Sequence, residues 1–245
     1  SELPATFHYG SPRRDGAVLP RLDLALPHVG GMPPLFCSLG TLQGGRIDLF
    51  HKVAFAARDV GARLLIAHGG MLSDEEAAQL SGLAEVRSFV PQQEVLKRCA
   101  AAVLHCGMNT VLDALAEGVP LVAMPIAFEQ PATAARLAYA GVAEVVPAGR
   151  ASRVRLANAL RAVLTVPDYR LAARRIADEM AEGGGVKRAA DLIEQAVAGG
   201  GGRGGRVRGI RPLSRVRGRV SGAPGRNGGL GREVFGSEPV EHLPP

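Results

Sequence analysis

Residues 101–113 read AAVLHCGMNTVLD, and this segment indicates the fold class. It begins with an apolar run that predicts a strand buried on both faces, as strands of parallel sheets are. Gly107 then interrupts the chain, and the residues that follow it predict a helix. A buried strand that leads through a glycine into a helix is half of a βαβ unit, which indicates a parallel sheet.

The same alternation continues on both sides of this stretch. We predict strands at 34–38, 63–68, 85–89, 101–105, 120–124 and 142–146. We predict helices between them near 46–60, 73–80, 92–98, 109–117 and 129–140, and three more near 152–164, 168–182 and 186–198. The pattern predicts an α/β fold, a Rossmann-like parallel sheet with helices on both faces.

The two ends of the chain differ in composition from its middle. Residues 1–33 are rich in Pro, Gly and Arg and predict a linker, 34–198 the folded domain, and 199–245 a disordered Gly/Arg-rich tail. The tail holds nine Arg and three Glu, whereas 1–198 holds 20 basic and 20 acidic residues. The net charge of +6 therefore comes from the tail. A basic tail can bind polyanions non-specifically, but a neutral domain argues against specific nucleic-acid binding.

Cysteine usage and hydropathy suggest the compartment. The three cysteines, Cys37, Cys99 and Cys106, are an odd number without the spacing of a metal site. This favours a reduced, cytoplasmic setting over a disulfide framework. No apolar run approaches the ~20 residues that span a bilayer.

Polar residues follow several predicted strands, where ligands bind in open α/β sheets. Thr41 follows the first strand, in a loop that we expect over 39–45. Asn109 and Thr110 open a helix whose unpaired amides suit a phosphate. His105 could hydrogen-bond or charge-pair with that phosphate. Asp113, one turn past Asn109, could accept two hydrogen bonds from a ribose.

Two further segments complete the candidate site. Phe89 and Val90 place an aromatic face beside a backbone fixed by proline, and such a face can stack on a base. Glu129 and Gln130 set a carboxylate beside a carboxamide, which suits sugar hydroxyls. The alternative for Glu129 is a charge that complements the dipole of its helix.

Each of the other candidates also has a structural alternative. His105 could be a histidine satisfied at a strand end, and Asn109 or Thr110 could cap the helix. Asp113 could be a solvated surface charge, and Phe89 could belong to the core. The functional interpretation depends on these residues recurring in order at strand ends.

In that order, the segments resemble the donor-binding signature of the UDP-dependent glycosyltransferases of family 1. The matching segments are SLGT at 38–41, FVPQ at 89–92, HCGMNTVLD at 105–113, GVPL at 118–121, EQ at 129–130 and GVKRAAD at 185–191. The resemblance covers roughly 34–197, and a signature this extended is far more specific than a lone glycine motif. Within the family, SLGTLQGG at 38–45 and HCGMNTVLDAL at 105–115 most resemble the bacterial zeaxanthin glucosyltransferases.

The resemblance implies the GT-B fold, of which this chain would be the C-terminal, donor-binding half. It also implies a role for each candidate residue. The diphosphate would be bound by Thr41, His105, Gly107, Asn109 and Thr110, the uridine by Phe89, Val90, Gln92 and Asp113, and the sugar by Glu129 and Gln130. Phe89 stands where the family usually has Trp and still supplies a stacking face. Glu129 stands where the family usually has Asp, and its side chain reaches one methylene further.

The implied reaction is inverting transfer of a hexose, glucose, from a UDP-sugar to a hydroxyl of a lipophilic acceptor such as the carotenoid zeaxanthin. No metal or other cofactor is expected. The family's general base lies in an N-terminal domain that these residues do not include, so we predict no catalytic residue here and weak or no turnover. His8, in the expected linker, is not a candidate base. We expect peripheral contact with the inner membrane face through the missing domain.

Three alternatives remain open at this point. The acceptor could be a macrolide, a sterol or another lipid, since acceptor choice resides in the missing half. The chain could be a non-catalytic UDP-sugar-binding fragment or a regulatory partner. The arginine-rich tail could also indicate a nucleic-acid-binding module.

Overall fold

The computed structural model of the chain describes residues 31–199. Nearly all of the expected linker (1–33) and of the expected tail (199–245) therefore lies outside the described residues. The strands are β1 (Pro34–Ser38), β2 (Arg63–Ala67), β3 (Glu85–Arg87), β4 (Ala101–Leu104), β5 (Leu121–Ala123) and β6 (Ala143–Val145). The helices are α1 (Gly40–Gln43), α2 (Ile47–Asp59), α3 (Asp74–Ala78), α4 (Gln92–Leu96), α5 (Met108–Ala116), α6 (Gln130–Tyr139), α7 (Arg153–Thr165), α8 (Pro167–Glu182) and α9 (Gly185–Gly199).

The six strands form one parallel sheet in the order β3-β2-β1-β4-β5-β6. Cys37 of β1 pairs with Ile66 of β2 on one side and with Val103 of β4 on the other. After β3, at one edge, the chain returns to the middle and adds β4 beside β1. The strand order therefore reverses between β1 and β4, and such a switch point is where open sheets bind ligands. The predicted Rossmann-like sheet is confirmed.

Helices cover both faces of the sheet. Successive residues of a strand point to opposite faces, so the continuous apolar strands place apolar side chains on both faces, and helices bury them. Leu35 and Cys37 of β1 belong to a core with the apolar sides of α2 and α7. Phe36, between them, belongs to a second core with α4, α5, α6 and α8. Burial on both faces explains why the strands read as continuous apolar runs rather than as alternating ones.

Two local expectations were wrong. The loop expected over 39–45 contains the one-turn helix α1, which Gly40 begins at a φ of +74°. A turn this short has no helical period in the sequence. The strand expected over 85–89 ends at Arg87, so Phe89 lies beyond it. No helix between 31 and 199 is long and apolar enough to cross a bilayer.

Candidate functional site

A cleft of about 330 Å³ lies at the carboxyl ends of β1, β2 and β4, over the point where the strand order reverses. We call it the switch-point cleft. Its lining residues are Ser38, Gly40, Thr41, Ala67, Gly69, Ser88, Phe89, Val90, Gln92, His105, Gly107, Met108, Asn109 and Thr110. Every residue predicted to bind the diphosphate is among them, and so are three of the four predicted to bind uridine.

A larger cleft, of about 640 Å³, opens at the opposite end of the sheet and contains none of the predicted residues. Two of its charged side chains are engaged in the fold. Asp59 pairs with Arg153, and the guanidinium of Arg170 donates to the carbonyls of Ala100 and Gly118. The chemistry of ligand binding therefore points to the switch-point cleft, although it is the smaller one.

Helix α5 begins at the cleft without a side-chain cap. Gly107 occupies the N-cap position, and no side chain accepts a hydrogen bond there. The alternative that Asn109 or Thr110 merely caps this helix is therefore wrong. The amides of a first helical turn carry partial positive charge, and here they border the cleft, which suits an anion.

His105 is half-buried at the end of β4, and its ring is held from two sides. Its Nδ1 lies 3.4 Å from the carbonyl oxygen of Ser38. A methyl group on Gly40 would come within 2.6 Å of its Nε2, and one on Gly107 would come closer still. Burial lowers the pKa of His105, while the Ser38 carbonyl and the Glu129 charge act in the opposite direction. Burial is the largest of these effects, so the surroundings disfavour the protonated form of the ring.

The ring of Phe89 stands at the β2–β3 side of the cleft and is 67% exposed. It lies against the backbone of Gly70, where an added methyl group would meet Cε2 at 3.3 Å. The alternative that Phe89 belongs to the core is therefore wrong. An exposed aromatic face beside the cleft is suited to stacking, and its role toward uracil stays a prediction.

Asp113 is hydrogen-bonded rather than a freely solvated surface charge. Its two carboxylate oxygens accept from the side-chain amides of Gln92, at 2.8 Å, and Gln93, at 3.0 Å. These bonds join α4 to α5 and place the carboxylate beside Gln92, the other residue predicted to bind the ribose. Asp113 itself is not among the lining residues, and the contact with Gln93 was not predicted.

The segment between β5 and α6 holds the two predicted sugar-binding residues in different surroundings. Gln130 is buried, and its side-chain oxygen accepts from the amides of Ile126, at 2.8 Å, and Ala127, at 2.9 Å. Glu129 is exposed. Phe128, which directly precedes Glu129, has a φ of +56° and is 73% exposed. Neither Glu129 nor Gln130 lines the cleft, and their role toward a sugar stays a prediction.

Sequence reasoning missed several lining residues, among them Gly69, Ser88 and Met108. Gly69 could have been predicted, since a glycine pair directly follows the strand predicted at 63–68 and ligands bind beyond strand ends in open α/β sheets. Within 31–199, no group of three or more His, Cys, Asp or Glu side chains is arranged to hold a metal ion.

The sequence matches one protein family over most of the described domain. Residues 35–178 fit the family described as UDP-glucoronosyl and UDP-glucosyl transferase. The chain belongs to this family.

Two curated relatives are zeaxanthin glucosyltransferases. The protein from Pantoea ananas is 37% identical over 201 residues, which cover 80% of this chain and 46% of the relative. The protein from Pseudescherichia vulneris is 44% identical over 171 residues, which cover 68% of this chain and 41% of the relative. The chain thus spans about half the length of the curated relatives it matches.

Solved structures of glycosyltransferases share the fold. The glycotransferase of kitacinnamycin superposes with a TM-score of 0.65 at 27% identity, over 75% of this chain and 46% of that one. Os79 from O. sativa, in complex with UDP, superposes with a TM-score of 0.58 at 25% identity, over 68% of this chain and 40% of that one. This chain has the fold of one half of a GT-B glycosyltransferase, as the sequence predicted.

Proposed function

We propose that this chain is the donor-binding half of a glycosyltransferase that moves a hexose, glucose, from a UDP-sugar to a hydroxyl of a lipophilic acceptor such as zeaxanthin. The observation that carries the proposal is the switch-point cleft, which gathers eight residues predicted from separate strand ends. The two zeaxanthin glucosyltransferases and the UDP complex of Os79 support it.

The uridine would lie at the β3 side of the cleft. The exposed ring of Phe89 would stack on the uracil, and the backbone of Val90 would bond to its edge. Gln92 and Asp113, which already bond to each other, would hold the ribose. Asp113 offers acceptor oxygens for two hydroxyls, because a carboxylate has about four lone-pair sites.

The diphosphate would lie over the start of α5. The first-turn amides and the side chains of Asn109 and Thr110 would donate to its oxygens, with Thr41 opposite them after β1. The sugar would extend toward the β5–α6 segment, where the exposed carboxylate of Glu129 would bind its hydroxyls. Gln130 would hold the loop that presents Glu129, and its side-chain nitrogen would donate to the sugar.

The reaction would be a displacement at the anomeric carbon. The acceptor oxygen forms the new bond, its proton passes to a base outside these residues, and the bond to the UDP oxygen breaks with inversion. Negative charge grows on the departing UDP, and the amides of α5 together with His105 stabilise it. We propose that no metal takes part. Chelation with EDTA is then expected to leave UDP-glucose binding unchanged, and a weakened affinity would contradict this.

Calorimetry with UDP-glucose and UDP tests the proposed function. We expect the chain to bind both, and His105→Ala to bind at least tenfold more weakly, because one charge-assisted hydrogen bond contributes about 1.5–3 kcal/mol. His51→Ala, on α2 and outside the cleft, is the matched control and should bind as the parent chain does. Absence of UDP binding by the parent chain would refute the proposal.

A further inference from the structure

The hydrogen bond of His105 fixes where its ring carries a proton. Nδ1 lies 3.4 Å from the Ser38 carbonyl oxygen, and a carbonyl oxygen only accepts. Nδ1 must therefore be the donor, and a neutral imidazole has a single N–H. In the neutral ring, Nε2 is consequently an unprotonated acceptor.

Nε2 is the ring atom that faces the start of α5 and the turn after β1. It lies against Gly40 and Gly107, where any larger residue would collide with it, and both glycines line the switch-point cleft. An unprotonated Nε2 and a phosphate oxygen are both acceptors, so they repel each other at hydrogen-bond distance. A neutral ring that carries its proton on Nδ1 is therefore unable to donate to a diphosphate.

The surroundings of the ring offer no other formal cation within the described part of the chain. None of the residues that line the cleft is Lys or Arg. The lining residues at the end of β1 and in the turn after it are Ser38, Gly40 and Thr41, and none of them is ionisable. Those at the start of α5 are Gly107, Met108, Asn109 and Thr110, which are likewise not ionisable.

Two ionisable groups, Glu129 and Cys106, lie near the ring. The charge of Glu129, on the β5–α6 segment, favours a protonated His105. Burial raises the pKa of the adjacent Cys106 thiol to about 12, so this group is uncharged near neutrality. A dianionic ligand that enters this cleft therefore meets the helix amides and one ring that can become a cation.

We propose that binding of a nucleoside diphosphate sugar is coupled to the uptake of one proton from solvent by His105. The bound ring is an imidazolium, with Nδ1–H donating to Ser38 and Nε2–H donating to a diphosphate oxygen. The ring enters the complex already charged and opposes the negative charge that develops on the leaving diphosphate. This inference rests on the proposed function of the cleft.

The number of protons is measured by calorimetry of UDP-glucose binding in buffers that differ in ionisation enthalpy, at about pH 8, where free imidazoles are neutral. UDP-glucose is the ligand of choice because its diphosphate is a diester without a titration near neutrality, unlike UDP. The slope of observed enthalpy against buffer ionisation enthalpy gives the protons taken up. We expect a value approaching one.

The His105→Gln variant tests whether His105 is the group that takes up the proton. Glutamine keeps a hydrogen-bonding side chain but does not titrate, so uptake is expected to fall to zero. His51→Gln, on α2, is the control and should leave it unchanged. The affinity of the parent chain for UDP-glucose should also depend on pH. Between the pKa of His105 in the free chain and its higher pKa in the complex, the affinity should fall by up to tenfold for each unit of pH increase. The affinity of His105→Gln should show no such fall.

The outcomes separate this inference from the function on which it rests. UDP-glucose binding without proton uptake would overturn the inference alone, and so would uptake that persists in His105→Gln. Failure of the parent chain to bind UDP-glucose would overturn both. If His105→Gln binds too weakly to measure, ring-nitrogen NMR of the parent chain decides. Two protonated nitrogens in the complex support the inference, and one contradicts it.

Discussion

Phe128 combines two unfavourable features at a single position. Its backbone adopts a φ of +56°, and its ring is 73% exposed. For a residue with a side chain, the left-handed conformation costs roughly 1–2 kcal/mol. The side chain of Gln130, which accepts from two amides of the preceding loop, holds the turn in this shape. Strain that persists beside a candidate binding residue such as Glu129 is consistent with a functional constraint.

At position 128, the usual order of stability, in which an Ala variant is more stable than a Gly variant, should therefore be reversed. We expect Phe128→Gly to be more stable than Phe128→Ala by about 1 kcal/mol, because only glycine adopts this φ without strain. Urea denaturation followed by circular dichroism measures the difference. Leu171, 61% exposed within α8, is the control site, and there the Gly variant should be the less stable by about 1 kcal/mol.

Equal stability of the two Phe128 variants would show that the turn relaxes without cost. This strain was not predictable from the sequence, because a phenylalanine has no intrinsic preference for positive φ. The tautomer of His105 was equally hidden, since it depends on Ser38, which lies 67 residues away in the chain. The type of each candidate side chain was predictable, but its partners were not.

A side chain of helix α8 hydrogen-bonds to the backbone at the amino-terminal ends of two strands. The guanidinium of Arg170 donates to the carbonyl of Ala100, just before β4, and to that of Gly118, before β5. These carbonyls belong to the turns that lead into two adjacent central strands. Because a guanidinium has donors in a fixed fork, one residue satisfies both turns at once.

Removal of this link should destabilise the fold without touching the cleft. Arg170→Ala is expected to lower the free energy of unfolding by about 2–3 kcal/mol, since two part-buried carbonyls lose a charged donor. Arg175→Ala, exposed on the same helix, should change it by less than about 0.5 kcal/mol. Thermal and urea denaturation measure both. A similar effect of the two substitutions would mean that the hydrogen bonds of Arg170 to these carbonyls are not responsible.

Most helices and strands were predictable because the sequence patterns that indicate them are local. The strands were found to within two residues, since parallel strands buried on both faces leave uninterrupted apolar runs. The helix α1 was missed because a single turn that begins at Gly40 has no periodicity. The residues of the candidate site were predicted from strand ends and from the family resemblance. The Gln93–Asp113 bond was not predictable, because it joins two helices whose relative position only packing determines.

Charge is distributed unevenly along the chain, with a formally neutral 1–198 and a surplus of six positive charges in 199–245. We expect the full chain to bind duplex DNA with an affinity that falls steeply as salt rises, because such binding releases counterions. Deletion of 200–245 should abolish this binding and change the UDP-glucose Kd by less than about twofold, since every lining residue of the cleft remains. DNA affinity that survives the deletion would instead indicate a nucleic-acid surface on the domain.

The three thiols lie on different sides of the sheet, with Cys37 in the core beneath α2 and α7, and Cys99 and Cys106 in the opposite core. Burial raises the pKa of Cys37, and raises those of Cys99 and Cys106 to about 12, so thiolate is scarce at each in the folded chain. An alkylating reagent can then react only when the surrounding core opens. Alkylation rates therefore report the opening of each side of the sheet separately, and a bound nucleotide should slow the reaction most at Cys106, which adjoins His105.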